Sequence, residues 1–258
     1  MDIELRSLSL YEEFKSAERV QAVAFGFEPL DIVPYMLMQS FATSGGIVVG
    51  AFDAEQMTGV VMGYTGLLRD GTPYHRSQRL AVLPEYRGQG IGIALKLKQA
   101  ELARQRGLNQ MRWTFDPLRA VNANLNIHKL GATSSSYMAR YYAAPSGKRD
   151  AGTSIDRLLV EWDLGRAMRD NPAIWPESAQ TVVYNERGVP SQPELKMQPG
   201  EVIIQIPDDI DAVRDNDPDG VAKWRQATAS AFQFYFAHGY RVVDYMRHRG
   251  YLLSAFPV

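Results

Sequence analysis

The stretch Leu80-Ala81-Val82-Leu83-Pro84-Glu85-Tyr86-Arg87-Gly88-Gln89-Gly90-Ile91-Gly92 decides how this chain is read. Its apolar start reads as a strand, its glycines as a turn, and the apolar-periodic run from Ile93 to Arg106 as a helix. Glycines at 88, 90 and 92 leave backbone N–H groups uncovered by side chains, and the helix behind them turns the positive end of its dipole to the same point. Such a turn is a phosphate cradle. Two better-known phosphate loops are excluded. The dinucleotide fingerprint requires a glycine at position 93, which is Ile, and a P-loop requires Gly-Lys-Ser/Thr, which the chain lacks.

Around this stretch the elements follow in a readable order. Ile3 to Leu8 alternates as a short strand, and Tyr11 to Phe25 carries apolar residues at helical spacing, with Ser9 and Glu12 as a capping box. Gly26 to Leu30 interrupts, and Asp31 to Phe41 reads as a second helix. Gly46 to Phe52 and Gly59 to Leu67 form an antiparallel hairpin across Asp53 to Gln56. Gln78 to Val82 is the strand that enters the glycine turn, and Met111 to Phe115 follows the helix as a buried strand parallel to it. Asp116-Pro117 reads as the start of a helix ending at Gly131. Ala132 to Tyr142 and Ser154 to Leu164 are two more strands, separated by the loop 143–153. Asp156, Leu158, Val160 and Trp162 share one face of the second.

What remains of the glycine turn is Arg/Gln-x-x-Gly-x-Gly/Ala, here Arg87 to Gly92, preceded by an apolar strand ending Val82-x-Pro84. It resembles the coenzyme A loop of the GNAT superfamily of acyl-CoA N-acyltransferases, and the element order matches that family through about residue 164. The resemblance implies an α/β (α+β) fold: a mixed, mostly antiparallel sheet with two central splayed parallel strands and helices on both faces. It implies a GNAT-like acyl-CoA-binding domain over 1–164. Residues 165–258 then form a smaller C-terminal α/β extension that packs on or shapes the acceptor side. In that extension a long helix, Val221 to His238, turns Trp224, Ala227, Ala231, Phe234 and Tyr235 one way. Flanking strands are read at Thr181 to Tyr184, Glu201 to Ile206, Tyr240 to Tyr245 and Tyr251 to Phe256.

Composition sets the outer bounds. The chain has 258 residues, 45% of them hydrophobic, and a formal net charge of −1. No overall basic field draws in nucleic acid or an anionic membrane, and no apolar run approaches the length of a membrane span. With no cysteine there are no disulfides, thiolate metal sites or Cys nucleophile. A cytoplasmic protein is expected. His75, His128, His238 and His248 lack metal-ligand spacing, so no metal is expected. No serine-hydrolase elbow or zinc-protease motif is present.

The resemblance also implies the chemistry: direct attack of an amine on the thioester of acetyl-CoA or another acyl-CoA, succinyl-CoA among them. Leu80, Ala81 and Val82 would pair with the pantetheine arm, with the Val82 N–H as oxyanion donor. Arg87, Gly88, Gln89, Gly90, Ile91 and Gly92 would hold the pyrophosphate, and Asn122 would touch the coenzyme. Three departures stand out. The family's asparagine position falls on Ala120, with Asn122 close by but out of register. The family's tyrosine position falls on Ile127, and its strand carboxylate position falls near Arg76. His75 is therefore read as a base or as a structural histidine. Asp116 is read as a base or an N-cap, Tyr137 and Tyr141 as proton donors or strand core, and Glu28 as an amine contact or a solvated loop carboxylate. The expected acceptor is a small-molecule amine, an amino acid or related metabolite, and the assembly is left open to a homodimer. Two other readings stay open: a catalytically silent acyl-CoA-binding or regulatory module, and a protein or peptide N-acetyltransferase.

Overall fold

A computed structural model describes residues 2–142, 155–165, 175–193, 195–196, 200–217 and 219–255. The expected loop at 143–153, Ser154, part of the Pro-rich segment 171–199, and Phe256 lie outside them. The chain divides into two compact units. The first holds the described residues 2–113 and 163–165; the second holds 114–142, 155–162 and the described residues from 175 onward.

In the first unit β1 (Ile3–Ser7), β2 (Ile47–Asp53), β3 (Gln56–Leu67), β4 (Pro73–Val82) and β5 (Gln110–Phe115) lie in that order. Pairing is antiparallel up to β4 and parallel between β4 and β5. β2 is buried from Ile47 to Phe52 because neighbouring strands flank it and helices cover both faces. On one face Phe14, Ala17, Val20 and Ala24 of α1 (Tyr11–Phe25) and Met38 of α2 (Tyr35–Thr43) pack on Val48, Phe52, Val60, Met62 and Ala81. On the other lies α3 (Ile91–Gln105), so close that a Cβ built on Gly59 would sit 3.0 Å from Leu95 and 3.4 Å from Ile91.

Two helix starts differ from expectation. Glu13, not Glu12, closes the cap of α1, accepting from the N–H groups of Ser9 at 2.8 Å and Leu10 at 3.0 Å. The α2 helix starts at Tyr35 rather than Asp31, because Pro34, at the N-cap, disfavours helical backbone in the residue before it. The strand entering the turn starts at Pro73, earlier than its apolar part suggests, because β3 carries the ladder out to Leu67↔Pro73.

The second unit orders its strands as β7 (Ile155–Asp163), β6 (Thr133–Tyr142), β12 (Tyr240–Met246), β13 (Gly250–Ala255), β11 (Val202–Ile204) and β8 (Gln180–Val183). The pair β9 (Asn185–Glu186) and β10 (Val189–Pro190) forms a separate hairpin. Before β6, α4 (Ala120–Ala123) runs into a π-helical turn, Asn124–Lys129. Helices α5 (Ile210–Asn216) and α6 (Gly220–Ala237) precede β12. The α6 helix buries Trp224, Ala227, Ala231 and Tyr235, with Phe232 where Phe234 was expected. Its indole N–H at Trp224 donates to the Gly188 carbonyl at 2.8 Å.

The β3–β4 ladder slips between Met62 and Gly63, pairing Met62 with Arg79 and Gly63 with Ser77. This bulge aims Ser77 at α3 and Arg79 at α1. Gly63 permits it: a Cβ there would overlap the Arg76 carbonyl oxygen and lie 2.5 Å from the His75 ring. Gly63→Ala is expected to cost roughly 1–3 kcal/mol, measured as a lowered urea midpoint with unchanged m-value.

Candidate active site

The glycine turn lies wholly within the first unit. A short 3₁₀ turn, Pro84–Tyr86, leaves β4, and Gly88 and Gly90 follow at φ 78° and 85°, a region that L side chains rarely adopt. A Cβ built on either would meet nothing within 4 Å. The turn is thus open above both Cα atoms. Gly90 is the N-cap of α3 and no side chain caps it; the intrahelical ladder begins with Ala94 N–H on the Gly90 carbonyl at 3.0 Å. The first-turn N–H groups of Ile91, Gly92 and Ile93 therefore project with the helix dipole into that opening. Arg87 is drawn back, donating to the carbonyls of Val82 at 3.2 Å and Ala24 at 2.6 Å, and Gln89 donates to the Glu85 carbonyl at 3.1 Å.

The strand behind the turn is parted from its parallel neighbour. Among the described residues the β4–β5 ladder consists of His75↔Met111 and Arg76↔Arg112. Leu83 N–H donates to the Thr58 carbonyl on β3 at 2.9 Å. Alternation along the strand turns the Val82 N–H the other way, to the side where pairing with β5 has ended. Leu80 and Val82 are half-buried and Ala81 is packed under α1.

Beneath the parting lies a buried polar cluster. Lys96 Nζ donates to Ser77 Oγ at 2.7 Å and sits 3.6 Å from the Trp113 ring centroid, while Ser77 Oγ donates to Gln99 Oε1 at 2.8 Å. Burial, helped by the charge of Arg76, pulls the Lys96 amine well below its usual pKa. Nothing in the sequence marked this lysine, which sits in an apolar-periodic helix. His75 is fully buried and neither ring nitrogen has a hydrogen-bond partner. Burial first, then the charges of Lys96 and Arg106, lowers it to about 3. The neutral imidazole has a base's lone pair but no exposed face.

In the second unit, Asp116 does not cap a helix. Its Oδ1 accepts from Leu118 N–H at 3.0 Å, and α4 starts only at Ala120, because the carboxylate is gripped by Arg225 of α6 at 3.0 and 2.8 Å. Burial alone would raise this carboxyl; the hydrogen bonds and charge of Arg225 outweigh it and hold it below the usual range. Tyr137 donates to Asp156 Oδ2 at 2.6 Å and stacks on Phe232. Burial and that carboxylate push its hydroxyl far above the usual range. Tyr141 is exposed and meets Tyr142 edge-on. Glu28 is exposed, its carbonyl accepting from Asp31 N–H, and Asn122 is half-exposed on α4. Among the described residues no cluster of three or more His, Asp or Glu could hold a metal, and no helix is long and apolar enough to cross a membrane.

Two outcomes follow from these burials. An unfolded His75 takes a proton as pH falls through 6.5, whereas the folded one resists to about 3. Its contribution is complete above 6.5 and is lost at up to ~1.4 kcal/mol per pH unit as pH falls toward 3. Urea midpoints of His75→Gln should fall less than wild type between pH 6.5 and 5. Arg225→Met, which strands the buried Asp116 carboxylate, should cost about 3–5 kcal/mol, and adding Asp116→Leu should recover most of it in the same titration.

Residues 44–129 match the family described as the acetyltransferase (GNAT) domain. No curated protein matches the sequence significantly. Among solved structures, the ribosomal-protein-S18-alanine N-acetyltransferase of Escherichia coli is similar with TM-score 0.51 at 16% identity, covering 66% of this chain and 99% of its own. YncA of Salmonella typhimurium, solved with its cofactor acetyl-CoA, gives 0.51 at 17% identity, covering 69% and 100%. A chain of the NatC complex bound to Gag peptide and CoA gives 0.51 at 16%, covering 63% and 99%. The glycine turn, Arg87 to Gly92, falls inside the span that matches the acetyltransferase (GNAT) domain, and the solved structures share its fold.

Proposed function

We propose that the protein transfers an acyl group, acetyl or succinyl, from acyl-CoA to the amine of a small molecule such as an amino acid. The observation that carries this reading is the uncapped, open start of α3 at the end of a strand parted from its neighbour. Backbone N–H groups of residues 87–92 would hold the pyrophosphate, which suits a turn with space above Gly88 and Gly90 and no carboxylate in its own six residues. The backbone of Leu80 to Val82 would pair with the amides of the pantetheine arm. The Val82 N–H, facing the parting, would meet the thioester oxygen as negative charge builds on it. Acyl-CoA supplies the activated carbonyl and a good leaving group; the chain supplies alignment and oxyanion stabilisation.

On this reading Asn122 touches the coenzyme, Glu28 meets the acceptor amine, and residues 165–258 shape the acceptor side. A peptide or protein acceptor is the second reading, favoured by the E. coli and NatC structures, whose names state such acceptors.

Calorimetry with CoA, acetyl-CoA and succinyl-CoA, followed by thiol release against amino acids, diamines and N-terminal peptides, tests both. Binding and amine-dependent thiol release are expected in the wild type. Gly90→Glu places a carboxylate and a strained φ in the cradle and should weaken binding at least about tenfold, a cost of ~1.4 kcal/mol or more. Peptide-only release would select the second reading, and absence of acyl-CoA binding would remove both.

A further inference from the structure

We propose that Lys96 is a positioning residue whose side chain holds β4 and β5 apart and so keeps open the slot that receives the acyl-bearing arm of the coenzyme; this rests on the acyl-transfer reading above. All of the groups involved lie within the first unit. The parallel ladder pairs His75 with Met111 and Arg76 with Arg112, so the next pair in register would be Ser77 with Trp113. Among the described residues that pair does not form. The Lys96 amine stands in its place on the side of α3. Its Nζ donates to Ser77 Oγ of β4 at 2.7 Å and lies 3.6 Å from the ring centroid of Trp113 of β5. An amine seated between a hydroxyl on one strand and a ring on the next takes the space that these two side chains would share if pairing continued.

Further observations single out this residue. A lysine is almost never fully buried without an ionic partner. Lys96 is 2% exposed, and among the described residues its hydrogen bond is to the Ser77 hydroxyl, not to a carboxylate. An apolar side chain would satisfy the helical periodicity at that position without the desolvation cost. The neutral amine that burial favours can sit against the indole without a counter-ion.

The α3 helix also grips the same serine a second time. Ser77 Oγ donates to Oε1 of Gln99, three residues after Lys96 and therefore on the same face of the helix. The slip of the β3–β4 ladder between Met62 and Gly63 leaves Ser77 at the point where pairing with β5 stops. One rigid helix thus carries both parts of the coenzyme site. Its start at Gly90 is the cradle, and Lys96, about 9 Å further along the axis, sets the parting.

The experiment measures, by calorimetry, the binding of acetyl-CoA and of 3′-phospho-ADP, the nucleotide half of the coenzyme, which reaches the cradle but carries no arm. Two apolar replacements suited to a buried helical position are compared. Lys96→Met keeps the side chain long enough to reach between the strands, and Lys96→Leu does not. Wild type is expected to bind acetyl-CoA more tightly than the nucleotide. Lys96→Leu should weaken acetyl-CoA about tenfold or more while its nucleotide Kd stays within about threefold, and Lys96→Met should return acetyl-CoA to within about threefold of wild type. A side chain that only filled the core would not separate the two ligands. Equal loss of both ligands in Lys96→Leu, undiminished acetyl-CoA binding in that variant, or failure of Lys96→Met to restore it would overturn the assignment. Equal wild-type affinity for the two ligands overturns it as well, and failure of the wild type to bind acetyl-CoA brings down the acyl-transfer reading itself.

Discussion

A parallel ladder that stops after two residue pairs, His75↔Met111 and Arg76↔Arg112, is the constraint around which the first unit is arranged. Buried backbone groups need partners, and among the described residues β5 supplies β4 with no ladder partner beyond Arg76. The bulge opposite Gly63 lies at that point and sends Ser77 to one face and Arg79 to the other. The strand then runs straight into the glycine turn. Open backbone donors along the strand end and across the helix start thus form a continuous row suited to an extended ligand with amides at one end and phosphates at the other.

Polar groups under this row are expensive. Lys96, Ser77, Gln99 and His75 are buried together, and the atoms that lack partners, His75 Nδ1 and Nε2 and Gln99 Nε2, each forfeit hydrogen-bond free energy. Desolvation and neighbouring positive charge act together here: both Lys96 and His75 are pushed toward the neutral form. In the second unit the balance is reversed. Asp116 and Arg225 are just as buried, but a two-point hydrogen bond keeps both charged, at the cost of tying the aspartate to a structural partner.

The described residues from 175 onward fall in the second unit together with 114–142. Strand β12 pairs with β6 through Val242↔Ser134, Tyr251 donates to the Pro117 carbonyl at 2.7 Å, and Phe232 stacks on Tyr137. Arg225 and Asp244 both come from this part of the chain. They decide which acidic and imidazole groups of 114–142 are locked and which remain open.

The sequence by itself determined the strand, turn and helix of 80–106, the hairpin before it and the strand after it, because each rests on local chemistry: glycine at positive φ, alternation in strands, helical periodicity. It also carried the GNAT resemblance, and residues 44–129, which include the glycine turn, match the acetyltransferase (GNAT) domain. Helix starts missed by a few residues where a neighbour's backbone restriction decided the matter, as Pro34 did for α2. Only the tertiary structure decided the chemistry of individual side chains. Asp116 reads as a free carboxylate or a cap until Arg225, 109 residues away, reaches it. His128 reads as one of four scattered histidines until Asp244, 116 residues away, fixes its ring. Protonation and orientation depend on burial and on partners distant in sequence, and no local pattern of residues encodes those.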